Sequence, residues 1–290
     1  MAPLVPIDQL EVFAQGLDHS EGIAMTPDGT IYVGGEAGQI YRIGADDSFE
    51  EVLTTNGLML GLASDADGRI FACDGGNVCV WLIDPVAKTT EVFVDGIPGR
   101  KMTCPNWGAF GPDGTYYVTD SGGWKERTGS VWAVRPGGKA EVWSEESVDF
   151  PNGCCVSPDG SRLYVLESTP GNLVEYPINA DGSAGARSVV VALPGAVPDG
   201  VAATTDGSLV ISCYRPDIIY RYRADLGLQV LAEDPEGVAI AAPTNVAFTG
   251  PNLETMTVPN IGRWHLTRFS HPDLQGVPLN YPTREQLGGN

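Results

Sequence analysis

Five Asp-Gly pairs punctuate this chain, each between two β-like runs: TPDGTIYV at Asp28, DADGRIFA at Asp67, GPDGTYYV at Asp113, SPDGSRLYV at Asp159 and TTDGSLVI at Asp206. A degenerate sixth copy, AFTGPNLETMTV, puts Gly250 where the turn glycine falls. Successive turn aspartates lie 39, 46, 46 and 47 residues apart. Few architectures satisfy that constraint. A unit of this length, holding several short strands, cannot bury its apolar face alone and must pack against its own copies, as the blades of a β-propeller do. Each unit also ends in a related strand, such as EVLTTNG at Glu51, EVFVDG at Glu91 and EVWSEES at Glu141, and the same pattern opens the chain as LEVFAQG from Leu10. The N-terminal strand is therefore expected to complete the last blade and leave no long open edge. The expected fold is all-β: a six-bladed propeller closed by the N-terminal strand, one domain over residues 1–290, with blades across about 10–270 and a tail, 271–290, whose place is not legible.

The repeat also aligns residues that are distant in sequence. Seven residues before each turn aspartate stand Glu21, Leu60, Asn106, Asn152 and Asp199, and the sixth copy contributes Thr244. The first strand of every propeller blade lines the channel, so equivalent positions form a ring at one depth. Two carboxylates crowded on that axis repel unless something compensates them. A divalent cation is the simplest compensation, and oxygen-only ligands favour a hard ion. A second polar tier is expected where the second strands end, near Glu36, Asp74, Asp120, Glu167, Tyr214 and Asn260. The Asp-Gly aspartates themselves are read as turn formers.

Composition narrows the partners. Glycine is high at 37 of 290 residues, as turn-rich β structure requires, and the net charge of −20 argues against nucleic acid and anionic membrane. No apolar run is long enough for a membrane helix, and the N-terminus lacks the basic and apolar regions of a signal peptide. The six cysteines show no Cys-Xaa-Xaa-Cys spacing and are expected as reduced, mostly buried thiols in a cytoplasmic protein. His-Glu-Xaa-Xaa-His, Gly-Xaa-Ser-Xaa-Gly and phosphate-loop motifs are all absent. An enzyme built on this chain would most readily use metal-assisted chemistry on a small molecule.

Four short motifs, each followed by its Asp-Gly turn, carry a resemblance: Ser20-Glu21-Gly22, Pro105-Asn106-Trp107-Gly108, Pro151-Asn152-Gly153 and Pro198-Asp199-Gly200-Val201. Together they resemble the gluconolactonase, regucalcin and luciferin-regenerating-enzyme family of six-bladed propellers. The resemblance implies that Glu21, Asn152 and Asp199 bind one divalent metal, calcium first, with magnesium, manganese or zinc as alternatives. It implies that Asn106 binds substrate or completes the metal shell, that Asp199 is the catalytic base, and that the reaction is hydrolysis of a lactone. Sugar-lactone members often carry Arg two residues before that asparagine and Asp just after it, where this chain has Cys104 and Trp107. A less polar substrate is therefore expected, contacted by Cys104, Asn106 and Trp107, with His19 and Tyr214 also within reach of the mouth. Cys104 as a nucleophile lacks an identifiable histidine base. Two other readings use the same ring: another metal-dependent reaction (isomerase, cyclase or lyase), or a non-enzymatic calcium-binding propeller.

Overall fold

The computed structural model describes residues 2–288 and is almost entirely β-structure. Six four-stranded antiparallel sheets succeed one another around a central channel. Blade one comprises Ile23–Met25, Ile31–Gly34, Gln39–Ile43 and Phe49–Thr54, from the axis outwards. Blades two to five repeat this order, their innermost strands being Met59–Ser64, Pro105–Phe110, Pro151–Val156 and Val197–Ala203. Blade six takes Ala247–Thr249, Thr255–Asn260 and His265–Ser270 from the C-terminal side and Glu11–Phe13 from the N-terminus. Antiparallel pairing of Val12 with Thr267 and Phe13 with Leu266 closes the circle as expected.

Six separate hydrophobic clusters fill the six interfaces between neighbouring blades. Trp132, Phe71 and Tyr116 pack between blades two and three, Tyr176 and Leu163 between three and four, and Phe13, Leu17 and Val33 between six and one. Both faces of each blade are thus buried, which is why runs such as Ile70–Asp74 and Tyr116–Asp120 are buried throughout rather than alternating. The Asp-Gly turns form at the end of the channel away from the ring. Gly68 and Gly207 adopt φ of +78° and +80°, while Asp206 Oδ1 accepts the Ser208 amide at 3.0 Å. These aspartates do the local work expected of turn formers.

The tail has a definite position. It runs across that same end of the channel and touches blade after blade. Thr205 N donates to Gln275 O, Asn280 Nδ2 to Phe110 O, Tyr281 Oη to Met25 O and Ala66 N to Pro282 O. Above it, residues 277–281 and the inner strands enclose a largely apolar cavity of about 150 Å³. The tail therefore closes the channel opposite the ring and does not cover the mouth.

Candidate active site

The inner strands of blades two to five each carry one extra residue at the ring level, while those of blades one and six pair without a shift. Pro198 pairs with Cys213 and Val201 with Ile211, so three steps along one strand match two along its partner. The same β-bulge recurs between Met59 and Leu62, Pro105 and Trp107, and Pro151 and Cys154. A bulge leaves a residue out of the ladder and re-aims its side chain. Leu60, Asn106, Asn152 and Asp199 occupy those bulges. The prolines before the last three have no N–H to lose, which suits an inner edge strand. Hydroxyls of the second strand pin the distorted peptides: Thr119 Oγ1 accepts the Trp107 amide and Ser212 Oγ the Gly200 amide, both at 3.1 Å. Gly153 and Gly200 follow their ring residues because the next blade's backbone crosses where a Cβ would stand.

The ring oxygens are buried and short of partners. Six buried side-chain polar atoms among the described residues lack a hydrogen-bond partner, and three of them are Asn106 Oδ1, Asn152 Oδ1 and Asp199 Oδ1. Buried polar atoms are normally paired, so three orphaned acceptors in one ring suit a cationic or electrophilic ligand. Asn152 is oriented by its Nδ2 donating to Ser168 Oγ at 3.2 Å, and Ser168 Oγ donates onward to Pro198 O at 2.7 Å. Burial, then the Asp199 charge, then Glu36 push the Glu21 carboxyl well above its ordinary range. Burial likewise pushes Asp199 up to about 8, partly opposed by the Asn152 carboxamide. No cluster of three His, Cys, Asp or Glu gathers among the described residues, so the donor set mixes carboxylates with carboxamides. Such a set fits a hard divalent cation held by Glu21, Asn152 and Asp199, with Asn106 beside it.

The remaining expected contacts fall in three places. His19 sits on the rim, its Nδ1 2.8 Å from both Asp18 Oδ1 and Glu36 Oε2, its ring against Trp264. Tyr214 is also on the rim and exposed. Cys104 is half-buried beside Leu60, both side chains lying against Gly75. Burial, with Asp120 and Glu21, pushes its thiol up to about 11, so it remains protonated and a poor nucleophile. Trp107 points away from the mouth. It packs between blades three and four and lines the closed cavity.

The second tier is mostly structural. Asp74 accepts three backbone amides and the Trp81 indole, Asp120 accepts the Thr103 and Cys104 amides, and Glu167 pairs with Arg187. These groups hold the loops that deliver each inner strand. Strand register also shows that Glu36 belongs one residue further on, equivalent to Gly75, Ser121, Ser168 and Tyr214. Ser121 and Ser168 were not singled out from sequence. Their one signal is the shared position after Asp120 and Glu167.

Residues 20–261 match the SMP-30/Gluconolactonase/LRE-like region. The chain belongs to that family. Among curated relatives, a gluconolactonase of Zymomonas mobilis is 28% identical over 192 residues, covering 59% of this chain and 52% of that protein. The match thus spans about half of the relative's length. Solved structures with the same fold include a gluconolactonase from Xanthomonas campestris (TM-score 0.78, 19% identity, covering 90% of this chain and 89% of that one). A calcium-binding protein, regucalcin, from Agrobacterium tumefaciens superposes with a TM-score of 0.73 at 18% identity, over 93% and 94% of the two chains. The luciferin-regenerating enzyme gives 0.75 at 18%, over 96% and 98%.

Proposed function

We propose that this family member is a divalent-cation-dependent hydrolase of a lactone or related ester, acting at the ring of Glu21, Asn106, Asn152 and Asp199. The observation that carries this reading is the set of three orphaned buried acceptors, on Asn106, Asn152 and Asp199, in a ring where the Glu21 and Asp199 carboxyls are both pushed above their ordinary range. The gluconolactonase relative supports the reaction class. The neighbour described as calcium-binding makes calcium the first ion to test, before magnesium, manganese and zinc.

A cation bound there would act as a Lewis acid towards the lactone carbonyl and make nearby water more acidic. The chain's own groups do the rest. Asn152, held by Ser168, and Glu21 fix the geometry of the site. Asp199, kept as the carboxylate once a cation sits beside it, takes the proton of the attacking water. The water oxygen bonds to the carbonyl carbon, the ring C–O bond breaks, and the proton passes to the departing alkoxide to give the hydroxy acid. Asn106 is placed to donate its amide to the substrate. Leu60 and Cys104 make one flank of the mouth apolar and offer no charged fork for sugar hydroxyls. A substrate less polar than an aldonolactone follows.

The test is hydrolysis of a lactone panel by chelator-stripped protein, with and without each ion. Metal-restored turnover favouring apolar over sugar lactones supports the reading. Stoichiometric metal binding with no hydrolysis would overturn it in favour of another reaction or a binding role.

A further inference from the structure

The cavity between the ring and the tail is built by the repeat itself. Three residues after Glu21, Leu60, Asn106, Asn152, Asp199 and Thr244 stand Ala24, Ala63, Ala109, Cys155, Ala202 and Ala247. All six line the cavity of about 150 Å³. Their strand neighbours Leu62, Phe110, Val156 and Phe248 are large and buried, so burial in these strands does not by itself require alanine. Small side chains let six inner strands converge on the axis. Convergence to ordinary interior density would leave no void, and here one remains.

The wall is neutral and mostly apolar. No Asp, Glu, Lys or Arg lines it among the described residues. Burial pushes the Cys155 thiol up to about 12 and raises Cys154 as well, so both stay protonated. Three polar side chains in the wall are already engaged. Ser64 Oγ donates to Asp65 O, Asn280 Nδ2 to Phe110 O and Tyr281 Oη to Met25 O.

Asn245 differs from these. It lines the cavity and is only 1% exposed, and its Oδ1 accepts the Val246 amide at 2.6 Å. That bond assigns the other end of the carboxamide as the nitrogen. Nδ2 is one of the buried polar atoms without a partner. The repeat makes the side chain conspicuous. Blades one, two, four and five have Gly22, Gly61, Gly153 and Gly200 at the equivalent position, where a Cβ would strike the next blade. Asn245 thus brings an N–H donor to a level where most blades carry no side chain at all.

A void of this size with apolar walls stays dry and accepts a molecule the size of benzene. We propose that the cavity is a binding site for one small neutral ring compound, mostly apolar, whose single acceptor oxygen takes the free N–H of Asn245. Cyclic ketones, ethers and lactones belong to that class. The site is separate from the ring of Glu21, Asn152 and Asp199 and does not depend on the hydrolase reading.

Calorimetric melting of the full-length protein tests this, with cyclohexanone, methylenecyclohexane and myo-inositol added at matched concentrations. The first two should raise the melting temperature, and inositol, a ring of similar size covered in hydroxyls, should not. Ala109→Leu and Ala202→Leu each fill the void and should abolish both shifts, and one folded variant is enough to decide. Absence of any shift in the parent overturns the site. Full shifts surviving in a folded leucine variant also overturn it, because the ligand then binds elsewhere. Isothermal titration reads the hydrogen bond. Asn245→Ala should weaken cyclohexanone roughly two- to ten-fold and leave methylenecyclohexane, which has the same shape and no acceptor, unchanged. An equal effect on both rings, or none on either, overturns the role of Nδ2. Lactone turnover enters none of these outcomes, so the hydrolase reading stands or falls separately.

Discussion

Asp199 is the residue on which site chemistry and stability meet. Its carboxyl and that of Glu21 are buried near one another, and without a cation each resists ionisation. Asp199→Asn removes the base while relieving the repulsion. We expect turnover to fall at least about 100-fold, metal affinity to drop, and the metal-free protein to melt higher than its parent. Calorimetry with and without chelator checks this. The same pair sets a pH dependence. A carboxyl with pKa 3.8 unfolded and about 8 folded binds more protons in the native state across that window. Stability of the metal-free protein must then decline as pH rises from about 4 to 8. Urea midpoints across that range should show the decline, flattened by added metal and by Asp199→Asn.

At the scale of the strand, the bulge turns a repeat into a site. Its geometry is held by short polar side chains that touch no ligand themselves. Ser168→Ala would leave Pro198 O without a buried donor and free the Asn152 carboxamide to rotate. A stability loss of about 1–3 kcal/mol is expected, together with a metal affinity roughly 10–100-fold weaker. Urea unfolding and metal titration read the two effects separately. Intact affinity would mean that Asn152 is positioned by its own strand. The ring of Glu21, Asn106, Asn152 and Asp199 was legible because the repeat supplied the alignment. The bulge was not, since an inner strand buried on both faces shows no alternation for an extra residue to break. The acidic tier misled for the same reason. Strand ends can be estimated only to within a residue or two, and one residue separates Glu36 from the true equivalents of Asp74 and Asp120.

At the scale of the molecule, two terminal segments complete the circle. The N-terminal strand joins blade six edge to edge, and the tail ties five blades across the far end of the channel. A chain ending at Leu274 would lose the hydrogen bonds to Phe110, Met25 and Ala66 and open the apolar cavity to water. We expect a clear fall in melting temperature and new binding of a hydrophobic dye, with the blades still formed by far-ultraviolet circular dichroism. An unchanged melting temperature would show the tail to be ornamental. Among the described residues no helix is long and apolar enough to cross a membrane.

The blade count, the closure and the polar ring were all written in the sequence, because each is a periodic property and the copies report on one another. The tail carries no copy of anything, so only its contacts could place it. Trp107 shows the same limit at a single position. Its neighbour Asn106 marks the ring, but whether an indole beside it faces the mouth or the core depends on a backbone bulge and on the space left by the next blade.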